Sequence, residues 1–261
     1  MSTLHGSWLW YELMSPDPDG SKAFYEAVVG WSINTGHGDN ANYGFITCPD
    51  GGMTGGLMRL SAEMQQHGAR PSWIGYIGVD DVDASVAAIK AAGGQCHLPP
   101  FDIAMAGRVA LVTDPGGAPF YVMTPKPPPG SGQSTAFTRF GTLGRCSWNE
   151  LMAGTFDQDL TFYTGLFGWS LPEAMDMGEM GKYQFIEHDG VPIGAIMPKM
   201  PQVPAAMWNH YFRVASIPAA QAAVMASGGQ VINGPMEVPG GEWIIQGIDP
   251  QGAMFALVGA K

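Results

Sequence analysis

Positive charge is scarce in this chain: 12 Lys and Arg stand against 23 Asp and Glu, for a formal net charge of −11. The nucleic-acid backbone is held mainly by basic groups, so this balance argues against a nucleic-acid partner, and against an anionic membrane surface for the same reason. Cysteine is scarcer still. Cys48, Cys96 and Cys146 lie far apart with no Cys-x-x-Cys spacing, so free thiols are expected and a disulfide framework is not. No apolar run reaches the roughly 18 residues of a membrane span. The start Met1-Ser2-Thr3-Leu4-His5 lacks the basic and apolar regions of a secretory signal, so a soluble, cytoplasmic protein without a membrane partner is expected. Nucleophile-elbow and phosphate-loop patterns are missing as well: Gly51-Gly52 and Gly55-Gly56 are not followed by Lys-Ser/Thr. The six histidines, His5, His37, His67, His97, His188 and His210, are scattered, and only His210 falls in the first strand of a repeating unit.

What is present is a duplication. Trp10-Tyr11-Glu12-Leu13-Met14, Phe24-Tyr25 and Gly30-Trp31-Ser32 return as Trp148-Asn149-Glu150-Leu151-Met152, Phe162-Tyr163 and Gly168-Trp169-Ser170, each 138 residues on. Tyr43, Phe45 and Ile46 return at an offset of 140 as Tyr183, Phe185 and Ile186. From Trp73 onward the offset is 135, pairing Tyr76 with Tyr211, Gly93-Gly94-Gln95 with Gly228-Gly229-Gln230, and Asp114-Pro115 with Asp249-Pro250. An echo anchored on tryptophan is a true internal repeat. A chain of 261 residues, 46% hydrophobic and 13% charged, then divides into two globular halves, each large enough for a core.

Within the first half, residues 7–14 read as a strand, and Ser15-Pro16-Asp17-Pro18-Asp19 as a turn into a helix over Ser21 to Val29. Ala23, Phe24, Ala27 and Val28 are expected on one side of that helix, and Gly30 as its left-handed cap. Strands over Trp31–Asn34, Tyr43–Cys48 and Gly55–Leu60 complete a βαβββ unit. Trp73–Val79 opens a second unit, with a helix over Ala84–Ala92 and strands near Gln95–His97, Arg108–Thr113 and Pro119–Met123. The second half repeats both units from about Gly144 and Met207. The fold expected is α+β, with two tandem domains of two βαβββ units each, spanning 1–125 and 141–261. Residues 126–140, rich in Pro, Gly and Ser, form the linker between them.

A βαβββ unit with Phe-Tyr on its helix, Gly-Trp after it and an Asp-Pro-x-Gly turn before the last strand resembles the vicinal-oxygen-chelate superfamily. That superfamily holds glyoxalases, extradiol dioxygenases and the bleomycin-resistance proteins. The tandem form opening on Trp-x-Glu-Leu is similar to bacterial two-domain glyoxalase-like proteins catalogued as hydroxylases. The resemblance implies strands that curl into an incomplete barrel or cup. It also implies a divalent ion held by His, Gln or Glu on the first and last strands. Its ligand positions fall on Trp10, Ile74 and Tyr121 in one half and on Trp148, Asn209 and Ala256 in the other, which are poor metal donors. No metal and no other cofactor is therefore expected.

Side chains two apart on a strand share a face. Glu12 therefore accompanies Trp10 and Glu150 accompanies Trp148, with Tyr76 and Tyr211 on the facing strands. Glu12 and Glu150 read first as staples that accept hydrogen bonds from backbone or a tyrosine hydroxyl, and otherwise as candidate general acids or bases. Trp10, Tyr76, Tyr121, Trp148, Asn209 and Tyr211 are the candidate ligand-binding residues. His210, one residue out of phase, is expected to point away from the cup. The function expected is binding of a small apolar, aromatic or carbonyl compound, with catalysis left open. The alternatives are a lyase or dioxygenase dependent on a divalent metal, and a non-catalytic interaction protein. A monomeric pseudo-dimer and a homodimer fit the duplication equally.

Overall fold

The computed structural model describes residues 4–36, 42–130 and 132–261. The first module runs β1 (Trp8–Ser15), α1 (Pro18–Val29), β2 (Ser32–Ile33), β3 (Tyr43–Thr47) and β4 (Met53–Arg59), followed by a short helix, α2 (Ala62–Gln66). The second runs β5 (Ser72–Gly78), α3 (Val82–Ala91), β6 (Gln95–Ile103), β7 (Gly107–Thr113) and β8 (Pro119–Pro125). The third comprises β9 (Cys146–Ala153), α4 (Phe156–Phe167), β10 (Ala174–Asp176), β11 (Lys182–His188) and β12 (Val191–Pro198). The fourth comprises β13 (Met207–Ser216), α5 (Ile217–Ala226), β14 (Gln230–Glu237), β15 (Trp243–Ile248) and β16 (Met254–Ala260). Four βαβββ modules thus follow one another. They form two eight-stranded sheets, ordered β2-β3-β4-β1-β5-β8-β7-β6 and β10-β11-β12-β9-β13-β16-β15-β14. In every module the first strand runs parallel to the last, while the remaining neighbours are antiparallel.

Local chemistry sets the element ends. Asp17 caps α1 by accepting from the Gly20 amide at 3.1 Å, Pro18 occupies the first turn, and Gly30 closes the helix at φ +82°. The helix therefore begins three residues before the expected Ser21. Its buried side is Pro18, Ser21, Phe24, Tyr25, Val28 and Val29, whereas Ala23 and Ala27 face solvent, a correction to the expected face. α3 also starts earlier than expected, at Val82, because Asp81 is its cap. Strand β6 continues to Ile103 through Pro99-Pro100; register shifts against β7 accommodate the prolines, which cannot donate to a ladder. Helix α2, begun by a Ser61 cap on the Met64 amide, was not foreseen.

Glycine permits close approach of the parallel strands at matching points. A Cβ on Gly55 would lie 1.9 Å from the Tyr11 carbonyl oxygen, and one on Gly194 would lie 1.8 Å from that of Asn149. These are the ladder partners Tyr11↔Gly55 and Asn149↔Gly194, so the same backbone contact is built twice.

By contact density the chain forms two compact units, each made of separated segments. One comprises Met1–Leu9, Gly75–Gln133 and Trp148–Trp208, and thus contains α3 and α4. In its core Tyr163 stacks on Trp169 at 5.1 Å, with Trp8, Trp208 and Phe167 around them. Trp208 Nε1–H donates to Tyr163 Oη at 2.9 Å, and Tyr163 O–H donates to Asp114 Oδ2 at 3.0 Å. Asp114 Oδ1 accepts from the Ala118 amide at 2.8 Å, which fastens the Asp-Pro-Gly turn to α4. Burial, reinforced by the nearby Asp159 carboxylate, pushes the Asp114 carboxyl up to about 7.

The other unit comprises Trp10–Ile74, Ser134–Ser147 and Asn209–Lys261. It repeats the relay: Trp73 Nε1–H donates to Tyr25 Oη at 3.0 Å, and Tyr25 O–H donates to Asp249 Oδ2 at 2.9 Å. Burial raises the Asp249 carboxyl as well, and it places both tyrosine hydroxyls well above their ordinary value. Phe212, fully buried, touches Tyr11, Trp31 and Trp73. Arg145 secures the segment before β9: one nitrogen pairs with both Asp50 oxygens at 3.0 and 2.8 Å, and another reaches the Thr135 and Met53 carbonyls. Phe24-Tyr25 and its echo Phe162-Tyr163 are thus core residues that join segments distant in sequence. Among the described residues no helix is long and apolar enough to cross a membrane, and Cys48, Cys96 and Cys146 are free thiols.

Candidate ligand-binding site

The alternation of β1 and β9 separates two faces. Tyr11 and Leu13 are fully buried, and Tyr11 lies edge-on to the ring of His210 at 4.8 Å. Burial alone pushes the His210 imidazole down from 6.5 to about 3. His210 therefore occupies the core side of its strand, as its phase implied. Trp10 and Glu12 take the other face of β1, and Trp148 and Glu150 the other face of β9.

On that face the third module builds a hydrogen-bonded chain. Trp148 Nε1–H donates to Tyr183 Oη at 2.9 Å, and Tyr183 O–H donates to Glu150 Oε2 at 2.9 Å. Glu150 is 6% exposed, so a carboxylate is held on an apolar wall with one oxygen fixed by a phenol. Phe185 meets both Trp148 and Tyr183 edge-on. The first module repeats the arrangement: Trp10 Nε1–H donates to Tyr43 Oη at 2.9 Å, with Phe45 edge-on to both rings. Glu12, 3% exposed, stands opposite Gly56 in the ladder, and a Cβ on Gly56 would lie 2.0 Å from Tyr43 Oη. Glycine there leaves room for the phenol beside the buried carboxylate. Tyr43 and Tyr183 were not among the expected site residues. The available signal was their echo two residues before Phe45 and Phe185, on the strand next but one to each glutamate.

The second and fourth modules carry equivalent rows across their strands. In the second, Leu98, Leu111, Tyr121 and Tyr76 are successive ladder partners, and Tyr76 stacks on Tyr121 at 4.4 Å with 13° between the rings. In the fourth, the same row reads Asn233, Gln246, Ala256 and Tyr211. Ala256 stands where Tyr121 stands, and over its small side chain Gln246 Nε2–H reaches Tyr211 Oη at 2.6 Å. Asn233 Nδ2–H donates to Gln246 Oε1 at 3.1 Å. Exchange of one ring for a methyl group, together with Gln246 and Asn233 where the second module has Leu111 and Leu98, replaces a stacked phenol pair with an amide and phenol chain. Gln246 and Asn233 were also missed by sequence reasoning, because their importance depends on this cross-strand register. Asn209, two residues before Tyr211, is 3% exposed, and its Nδ2 has no hydrogen-bond partner among the described residues.

The side chains at the implied ligand positions do not fit a divalent ion. The indole N–H groups of Trp10 and Trp148 are donors committed to tyrosines, Ile74 and Ala256 have no donor atom, Tyr121 is stacked, and Asn209 contributes one amide. Among the described residues no three His, Cys, Asp or Glu side chains cluster as a metal site would require. His5 meets the distant Leu166 carbonyl at 3.0 Å and lies 3.8 Å from Asp80, His67 meets the Glu63 carbonyl, His97 the Thr113 hydroxyl and His188 the Asp189 carboxylate, and His37 lies outside the described residues.

The model of the Glyoxalase/Bleomycin resistance protein/Dioxygenase superfamily matches residues 8–122 and, a second time, residues 143–257. The chain belongs to this superfamily. A Mycobacterium bovis protein provisionally named glyoxylase CFP32 is 33% identical over 261 residues, covering 95% of this chain and 93% of its own length. The anthracycline biosynthesis protein DnrV of Streptomyces peucetius is 27% identical over 274 residues, covering 97% of this chain and 93% of its own. Among solved structures, the Mn(II)-bound glyoxalase of Novosphingobium aromaticivorans superposes with a TM-score of 0.66 at 19% identity, over 97% of this chain and 82% of that one. The superfamily assignment accounts for the four modules and the duplicated sheets; the side chains on their inner faces are this chain's own.

Proposed function

We propose that this superfamily member binds a small aromatic, carbonyl-bearing compound against the Trp148, Tyr183 and Glu150 face, without the metal centre of its metal-bound relatives. The observation that carries this reading is the Trp148–Tyr183–Glu150 chain, in which an indole, a phenol and a buried carboxylate are locked in one orientation. The indole and phenol offer flat surface to an aromatic ring. A buried carboxylate held beside them in one orientation suits proton transfer at a carbon next to a carbonyl. Trp10, Tyr43 and Glu12 form the counterpart in the first half. Similarity to a protein named for anthracycline biosynthesis supports a ligand of aromatic, carbonyl-bearing character. Residues 1–125 and 141–261 are the domains to which these two faces are assigned.

The test is binding by protein dialysed against a chelator, with residual metal measured by elemental analysis and the ligand detected by quenching of tryptophan fluorescence. Saturable binding of aromatic ketones by the metal-free protein is the expected result, with loss of affinity in Trp148→Phe. Metal retained at about one ion per half, or binding restored only by added Mn(II) or Fe(II), overturns the metal-free reading. That outcome would favour a metal-dependent lyase or dioxygenase, which the likeness to a Mn(II)-bound glyoxalase supports.

A further inference from the structure

Three observations meet on the inner face of the fourth module. Asn209 is 97% out of solvent by its 3% exposure, yet its Nδ2 donates to nothing among the described residues. Buried amide donors are almost always satisfied by protein, by ordered water or by a ligand, since an unmet one costs a large share of its desolvation. Asn209 shares its face with Tyr211, whose hydroxyl oxygen is already engaged by the Gln246 amide in the chain that starts at Asn233. The equivalent positions of the second module carry Ile74 and Leu111, so two buried amides, Asn209 and Gln246, stand where the matching ladder is aliphatic, and Ala256 stands where it has Tyr121. Replacement of apolar residues by amides inside a fold is destabilising unless something uses them.

We infer that Asn209 is a specificity-determining residue whose amide hydrogen-bonds a neutral oxygen of a small molecule, a carbonyl or a hydroxyl, on the fourth module's inner face, within its own compact unit. This goes beyond the proposed function, which concerns the Trp148, Tyr183 and Glu150 face. Neutrality follows from the charges present. Arg213, next along the same face of β13, is committed to Glu242, to Ser147 Oγ at 3.1 Å and to the Arg139 carbonyl. Glu242 is in turn shared with Arg139 at 3.5 Å. With its cation occupied, the face offers dipoles and no spare positive charge, which selects carbonyl or hydroxyl over carboxylate. An amide suits either partner, because it carries a donor and an acceptor that exchange places by rotation of the terminal torsion. The roles divide accordingly: Asn209 contacts the ligand, whereas Gln246 and Asn233 act through Tyr211 and are positioning residues.

The experiment compares 2-acetylnaphthalene with 2-ethylnaphthalene, which differ by one carbonyl oxygen, as ligands of the chelator-treated protein and of Asn209→Leu. The wild type is expected to prefer the ketone. Asn209→Leu, close in shape, is expected to lose about tenfold in affinity for the ketone, the scale of one buried hydrogen bond, while its affinity for the hydrocarbon is unchanged. Its melting temperature is expected to equal or exceed that of the wild type. An unchanged ketone preference in Asn209→Leu overturns the inference and leaves the proposed function standing. A lower melting temperature with unchanged preference shows that the amide is satisfied within the fold, and overturns it too. Failure of the wild type to bind either probe removes both readings.

Discussion

Asp114→Asn isolates the buried carboxyl that ties the Asp-Pro-Gly turn to α4. In the native protein burial raises this group from 3.8 to about 7, so the folded state holds a proton that the unfolded state releases at lower pH. Stability from Asp114 is therefore complete below about pH 4 and is lost as pH rises through about 7, at roughly 1.4 kcal/mol per pH unit. Over the three intervening units the loss amounts to roughly 4 kcal/mol. Asparagine cannot ionise, so it escapes this loss. It keeps an oxygen for the Ala118 amide but turns an N–H toward Tyr163 Oη, which already accepts from Trp208. The misplaced proton costs about 1 kcal/mol at every pH. The variant should thus be less stable than the wild type at about pH 3.5, where Asp114 has lost little, and more stable at pH 8. Urea unfolding followed by tryptophan fluorescence at half-unit intervals measures the difference, in which the contributions of titrating groups away from Asp114 and its neighbour Asp159 cancel. A difference that does not vary with pH would refute the reasoning, since it would mean that Asp114 titrates alike in both states.

His210 acts with the opposite sign: its folded value of about 3 lies below the ordinary 6.5, so stability is lost as pH falls from 6.5 toward 3. His210→Gln should flatten acid unfolding by circular dichroism over that window by about 1.4 kcal/mol per pH unit, and an unaltered acid slope would sink this assignment. Gly194→Ala sets a Cβ 1.8 Å from the Asn149 carbonyl oxygen and should unfold the chain or cost more than about 4 kcal/mol. Gly168→Ala meets nothing within 4 Å and bears only the strain of φ +70°, about 1 kcal/mol. Equal thermal shifts in the two alanine variants would show that β9 and β12 do not pair in this register.

The amino-acid sequence by itself determined the module order and the faces of the leading strands. A repeat anchored on Trp-x-Glu-Leu, Phe-Tyr and Gly-Trp reveals a duplication wherever the chain folds, and a period of two places Glu12 with Trp10 and His210 opposite Asn209 without any tertiary information. Helix limits were less legible, because Asp17 and Asp81 act as caps only through the amides they reach. What joins residues across strands was decided by the tertiary structure. Tyr183 became the link between Trp148 and Glu150, and Gln246 the partner of Tyr211, through ladder registers that depend on bulges and loop lengths. The two compact units follow no sequence boundary, because Tyr25 finds Asp249 and Tyr163 finds Asp114 far along the chain. The shifts of Asp114 and His210 arise from burial, which belongs to the packed state and not to any local stretch of sequence.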